Sequence, residues 1–342
     1  MKIKKKHIIK YLRLLTDTSA FRQVKKYHIE GERHLNPILT ILDVIWCKLR
    51  YGINTNEYFY YEFYNKSLFA RNSFISVAKH TWITAYQINK GNKSLFAQKI
   101  NAYNTYKQYY HREVISIELP SEAPKLLMFA QKHGKFVLKP LDESEGHGIR
   151  MWNTDMYDSK AQLQQIAQSA LGKVIIEELI QQNEDMASFH PASVNTIRYV
   201  VDYNGNGINR LWAIIRMGVG NSYIDNTSAG GICAAIDLKT GIIISQGVRR
   251  NGERFILHPD SGKQIIGTKI PKWEELNEII EQLYPIDSPI HLVGWDFALS
   301  TSGWCIVEGN ACPSVMGIQG STGKGYRFVL KKVKRNKNKS AL

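Results

Sequence analysis

Residues 291–313 read HLVGWDFALSTSGWCIVEGNACP, two apolar runs joined by a turn-forming Thr-Ser-Gly. The pattern predicts a β-hairpin near the C-terminal end of the chain. Asp296 lies on its first arm, and Glu308 and Asn310 lie two apart on its second. Side chains alternate faces along a strand, so Glu308 and Asn310 share a face. If the arms pair through the turn, Asp296 can face them and three oxygen ligands converge. Hard divalent cations such as Mg²⁺ or Mn²⁺ take a few carboxylate or carbonyl oxygens, with phosphate and water completing the shell. The same spacing also suits a polar hairpin face on which Asn310 merely begins the next turn.

Upstream, SVNTIRYVVDYNGNGINRLWAIIRMGV (193–219) reads as another hairpin, turned at Asn-Gly-Asn-Gly. Arg198 and Arg216 sit mid-strand on its two arms. An arginine inside an apolar strand needs an anionic partner or a solvated face. With Lys139, the pair could form a cationic wall that neutralises a phosphoryl group in transfer. Lys139 itself ends the short strand of FVLKPLDESEGHGI (136–149), which breaks into an acidic, glycine-containing loop. Such a loop can turn backbone N–H groups toward an anion beside the lysine charge. An ordinary strand–turn–strand would read the same way.

Between these stretches, VIIEELIQQNED (174–185) leads a strand, expected over Val174–Ile180, into a polar connection. Backbone groups at Glu178–Ile180 would suit an adenine edge, with Glu177 accepting from its amine and Glu184 from ribose hydroxyls. Acidic residues after a strand also commonly lie on the surface. LPSEAPKLLMFAQKHG (119–134) predicts a helix capped at Ser121 and stopped at Gly134, and a second helix is expected from Asp158 or Ser159 to Gly172. Residues 1 to about 90 read as mostly helical. Ile38, Leu39, Ile41, Leu42, Ile45, Trp46 and Leu49 recur at helical spacing before Gly52, and the aromatic-dense run 56–75 suits a core or a partner surface.

At 342 residues the chain allows roughly two cored domains. No apolar run approaches the ~20 residues that span a bilayer. The start of the chain lacks the apolar core and cleavage site of a secretory signal. Cys47, Cys233, Cys305 and Cys312 are scattered without a CxxC pair, which fits a reducing cytoplasm. Net charge is +15, and most of the excess lies in Lys2, Lys4, Lys5, Lys6, Lys10 and Arg13 and in Lys331, Lys332, Lys334, Arg335, Lys337 and Lys339. Basic runs without interleaved aromatics favour no nucleic-acid partner. They suit a solvated end or peripheral contact with an anionic membrane.

The order of parts is lysine and glycine loop, strand end, basic hairpin, then D…ExN. It resembles the ATP-grasp superfamily over about residues 93–320. FHPASVNTIRYV (189–200), IIRMGVGNSYIDNTSAGGICAAID (214–237) and GWDFALSTSGWCIVEGNACPS (294–314) are similar to the sugar-transfer-associated ATP-grasp proteins. The resemblance implies an α+β fold in which two lobes clamp ATP: a helical N-terminal domain over 1–92, the grasp over 93–325 and a basic tail over 326–342. It adds Lys99, forty residues before Lys139, as a first phosphate lysine. Ser144, Gly146 and Gly148 would then cover the phosphates. Glu177, Leu179 and Ile180 would read adenine and Glu184 ribose, while Asp296, Glu308 and Asn310 would hold Mg²⁺. The implied activity is an ADP-forming ligase in surface-glycan synthesis. It would join a carboxylate donor to an amine-bearing glycan or amino-acid acceptor through an acylphosphate, with Arg198 and Arg216 neutralising that intermediate. A kinase acting on a sugar or lipid hydroxyl, or a non-catalytic ATP-binding module, are the alternatives. The chain departs from many such ligases in its helical rather than strand-rich N-terminal region and in His147 between the loop glycines.

Overall fold

The computed structural model describes residues 36–89, 94–97, 99–140, 149–155, 161, 174–203, 207–223, 225–227, 230–283 and 290–340. The glycine-loop residues Ser144, Gly146 and Gly148, the helix expected over 158–171 apart from Ala161, and the basic run at the N-terminus lie outside these residues.

Helix α1 (Pro37–Tyr51) starts where Asn36 accepts from the Ile38 and Leu39 amides and stops at Gly52, whose φ of 73° a side chain would disfavour. The apolar residues that recur along it at helical spacing face largely outward. Ile38 is 71% and Leu42 58% exposed, while Thr40, Val44, Cys47 and Tyr51 are buried. The reason is polar. Arg71 donates to both oxygens of Asp43 at 2.6 and 2.7 Å and to the Phe63 carbonyl, and Tyr58 Oη donates to Asp43 at 2.7 Å. A carboxylate and guanidinium that must find each other inside decide which face of α1 turns inward.

Short helices α2 (Thr55–Tyr60), α3 (Leu68–Ser73) and α4 (Val77–Trp82) follow, with a π-helical turn over Ile83–Ile88. The aromatic run is core: Tyr58, Phe59, Tyr60, Tyr61, Phe63 and Phe74 are buried. Helices α5 (Ser94–Ala97) and α6 (Lys99–Tyr106) lead to a four-stranded antiparallel sheet. Its strands are β1 (Val114–Ile117), β2 (Lys135–Pro140), β3 (Arg150–Asn153) and β4 (Val174–Glu178), in the order β1-β4-β2-β3. Helix α7 (Ala123–His133) ends at Gly134 as expected, but Ser121 does not cap it. Ser121 lies in a preceding 3₁₀ turn, the cap position is Glu122, and Pro124 in the first turn suits a start there. Strand β4 stops at Glu178 rather than Ile180, because the chain leaves for the second sheet: Asn183 N donates to Leu299 O at 2.9 Å. The one-turn helix α8 (Glu184–Ala187) follows.

The second sheet has seven antiparallel strands, β5 (Thr196–Tyr203), β6 (Ile208–Met217), β7 (Ile232–Ile236), β8 (Gly247–Arg249), β9 (Arg254–Phe255), β10 (Leu292–Ser300) and β11 (Gly303–Asn310). They run β11-β10-β5-β6-β7-β8-β9. One face, through Ile197, Tyr199, Ala213, Ile215 and Phe297, packs on α9 (Trp273–Gln282). The other, through Val200, Trp212, Ile214 and Leu292, shares a core with Tyr58–Phe63 and Phe74. Helices α10 (Met316–Thr322) and α11 (Arg327–Ser340) close that core with Val315, Ile318, Val329, Leu330 and Val333. The C-terminal basic stretch is therefore helical as far as Ser340, with Val329, Leu330 and Val333 buried and Phe328 exposed. No described helix is long and apolar enough to cross a membrane.

Gly320 on α10 shows how closely the helical region meets the sheet core. A Cβ there would lie 1.8 Å from Tyr60 Cε1, inside the buried ring. Gly320→Ala gains about 1 kcal/mol in helix propensity yet should still lose about 1–3 kcal/mol overall, because the ring has no space to move into. Chemical denaturation reads the sign, and a net gain would mean that the helical region yields at this contact.

Candidate functional site

The two arms of the C-terminal hairpin pair as expected, with Asp296 opposite Glu308 and Gly294 opposite Asn310. What aims them is a β-bulge. Phe297 pairs with Ile306, so Val307 is an extra residue on β11. Ile306 lies in the apolar core beside Phe297, and without the bulge Glu308, two residues on, would face that core too. One inserted residue changes the parity and turns Glu308 toward Asp296. Gly309 completes the fit, since a Cβ there would meet Phe96 Cε1 at 2.3 Å.

On the same face, β5 lies beside β10 with Arg198 opposite Asp296, and β6 beside β5 with Arg216 opposite Thr196. Both arginines therefore reach one carboxylate. Arg198 donates through Nε and Nη2 to the two Asp296 oxygens, each at 2.7 Å, and Arg216 Nη2 adds a bond of 2.8 Å. They do not stand as an open cationic wall, because Asp296 is their anionic partner. Asp296 has no exposure, and burial alone would raise its pKa. The two guanidinium charges outweigh that and hold it at about 2.

Glu308 behaves oppositely. Its carboxyl is pushed above the usual range, first by desolvation and then by the facing Asp296 charge, and its side chain remains 41% exposed. Asn310 Nδ2 donates to Glu308 Oε1 at 3.1 Å, and Arg198 lies 3.7 Å from the same oxygen. Among the described residues no three His, Cys, Asp or Glu side chains converge as a metal site. The set here is two carboxylates and an amide. Two facing carboxylates, one driven toward holding a proton, suit a hard cation that would take the proton's place. The donor chemistry therefore fits Mg²⁺ or Mn²⁺.

The four-stranded sheet supplies the other half. Lys139 Nζ donates to Glu177 Oε1 at 2.8 Å, across the paired strands β2 and β4. Burial would raise the pKa of Glu177, but Lys139 and Arg112 outweigh it and hold it at about 2. Lys99, at the start of α6, lies within electrostatic reach of Glu308, Lys139 and Glu177. Burial lowers its pKa first, and Lys139 adds to that against the two carboxylates. The structure thus brings Lys99, Lys139 and Glu177 toward the Asp296–Glu308 face. Leu179 and Ile180 lie just past β4, and Glu184 is exposed in the first turn of α8.

Three residues escaped the sequence reading. Thr196 Oγ1 donates to Asp225 and accepts from Arg216 at 2.8 and 3.0 Å. Asp225 lies 3.5 Å from Arg216 Nε. Arg112 joins Glu177 to the carbonyls of the bulge. Spacing does not reveal their partners, since Thr196 meets Asp225 across 29 residues and Arg112 meets Glu177 across 65.

Residues 92–335 match the family described as sugar-transfer associated ATP-grasp. Similar solved structures include the ATP-grasp ligase PsnB complexed with minimal precursor, at 13% identity and a TM-score of 0.44 over 75% of this chain and 63% of that one. D-alanyl-alanine synthetase A from Vibrio cholerae O1 is 12% identical with a TM-score of 0.43, over 75% of this chain and 66% of that one. D-alanine–D-alanine ligase from Helicobacter pylori is 12% identical with a TM-score of 0.45, over 71% and 61%. The chain thus spans less than two thirds of the length of each of these three. No curated protein matches it in sequence.

Proposed function

Because the chain belongs to the sugar-transfer associated ATP-grasp family, we propose that it is an ATP-dependent ligase. It would activate a carboxylate as an acylphosphate and pass the acyl group to an amine, releasing ADP and phosphate. The observation that carries this reading is the meeting of two lysines at one carboxylate: Lys139 Nζ donates to Glu177 Oε1 at 2.8 Å, and Lys99 lies within electrostatic reach of Lys139, Glu177 and Glu308. Lysines on one side suit the phosphates of a nucleotide.

In this reading Lys99 and Lys139 hold the phosphates. The chain leaving β4 at Leu179 and Ile180 takes the adenine edge, and Glu184 the ribose. Asp296, Glu308 and Asn310 hold Mg²⁺ or Mn²⁺, which when bound neutralises phosphate charge. Arg198 and Arg216 keep Asp296 ionised and orient it. Asp225, 3.5 Å from Arg216, offers that guanidinium a second carboxylate when Asp296 turns to other work. No covalent nucleophile is required, since positioning and charge neutralisation carry phosphoryl transfer. The family description supports a setting in glycan synthesis, where an amine-bearing sugar or amino acid would be the acceptor.

The test is isotopic. The chain is incubated with ATP, MgCl₂ and a panel of ¹⁸O-labelled carboxylates and amines. A ligase transfers one labelled oxygen into released phosphate, because the acylphosphate oxygen leaves with it. A phosphorylated hydroxyl product without free phosphate would replace the ligase reading with a kinase. ATP binding without any turnover would replace it with a binding module.

A further inference from the structure

Arg112 stands in HREVISI, two residues before β1. It belongs to none of the groups assigned above to nucleotide or cation. Its side chain is only 3% exposed. Nη2 and Nε donate to Glu177 Oε2 at 2.7 and 3.1 Å. Nη1 donates to the carbonyls of Ile306 at 2.5 Å and Tyr110 at 3.2 Å, and Nη2 reaches toward Val307 O at 3.4 Å. The Tyr110 ring lies against the guanidinium, 5.0 Å from its carbon.

Two of these contacts belong to different sheets. Glu177 is the partner of Lys139 in the four-stranded sheet, and Ile306 and Val307 are the bulge that turns Glu308 toward Asp296. Strand β11 is the edge of its sheet, so β10 cannot bond the outer side of the bulge. Arg112 supplies that partner.

We infer that Arg112 is a positioning residue coupling the lysine side of the site to its carboxylate side, holding Glu177 with one edge of the guanidinium and the β11 bulge with the other. Polyanion binding beside Lys139 and cation binding at Glu308 then assist one another, and such coupling is reciprocal. A lysine cannot replace it, because an ammonium is a point charge without the planar fork that reaches acceptors in both sheets.

This rests on the proposed nucleotide reading, and one experiment separates the two. Calorimetry of the full chain gives the Kd for ATP in MgCl₂ and in EDTA, and the ratio measures how far the cation assists. A wild-type ratio near one removes the nucleotide–cation reading and this coupling with it. A wild-type ratio well above one sustains that reading and leaves the variants to decide the coupling. Arg112→Met and Arg112→Lys are then expected to cut the ratio about tenfold, toward that of Glu308→Gln, with little change in the EDTA value. The double variant Arg112→Met/Glu308→Gln should lower it no further than Glu308→Gln alone. Arg112→Lys keeps a charge beside Glu177, so it carries the test where Arg112→Met fails to fold. If both Kd values rise by one common factor, Arg112 merely holds the fold and the coupling is refuted.

Discussion

Asp296→Asn should destabilise the protein by about 3–5 kcal/mol, while Glu308→Gln should leave stability within about 1 kcal/mol. Both should abolish Mg²⁺-dependent ATP turnover. Read along the hairpin alone, the two carboxylates look interchangeable. In the structure Asp296 is fully buried and accepts three bonds from Arg198 and Arg216. An amide in its place takes from Arg198 and Arg216 the anion they share and points an NH₂ at their N–H groups. Glu308 is partly exposed and crowded by Asp296, so neutralising it relieves repulsion. Denaturant midpoints at constant m-value, set beside ADP release, separate the effects. An Asp296→Asn variant as stable as wild type would mean that the guanidiniums find other partners.

The pH dependence follows the same division. Asp296 is held near pH 2 in the folded chain against about 3.9 unfolded. Its contribution is therefore present above about pH 4 and lost as pH falls toward 2. Asp296→Asn should flatten that acid limb. Glu308 has the opposite sign: its raised folded pKa favours the fold below about pH 4.3, and that benefit is lost as pH rises through the folded value. Glu308→Gln should remove this decline.

Lys139→Met should cost on the order of 10²–10³ in ATP-dependent rate while leaving the fold intact. The methionine keeps most of the apolar stem, and Glu177 retains the two donors of Arg112. What disappears is the charge proposed to meet phosphate. The loss should appear in ATP affinity as well as in turnover. Unaltered ATP binding by Lys139→Met would place the phosphates elsewhere and detach Lys99 from them too, since the two lysines sit within each other's field.

The sequence by itself determined the parts that depend on local periodicity. Strand alternation placed Glu308 and Asn310 on one face, and a turn-forming Thr-Ser-Gly set the hairpin. Gly52 and Gly134 stopped their helices, and an aromatic run too apolar for solvent had to be core. Order along the chain supplied the family resemblance. Only the tertiary structure decided where the polar groups find partners. Arg198 meets Asp296 across 98 residues and Arg112 meets Glu177 across 65, distances over which no spacing rule operates. The Asp43–Arg71 pair turned the apolar stripe of α1 outward, against its own hydrophobicity, because a buried charge without a partner costs more than exposed leucines. Val307 has the plainest reason of all. A bulge adds one residue with no compositional mark, and which face Glu308 takes relative to Ile306 depends on the strand across from it.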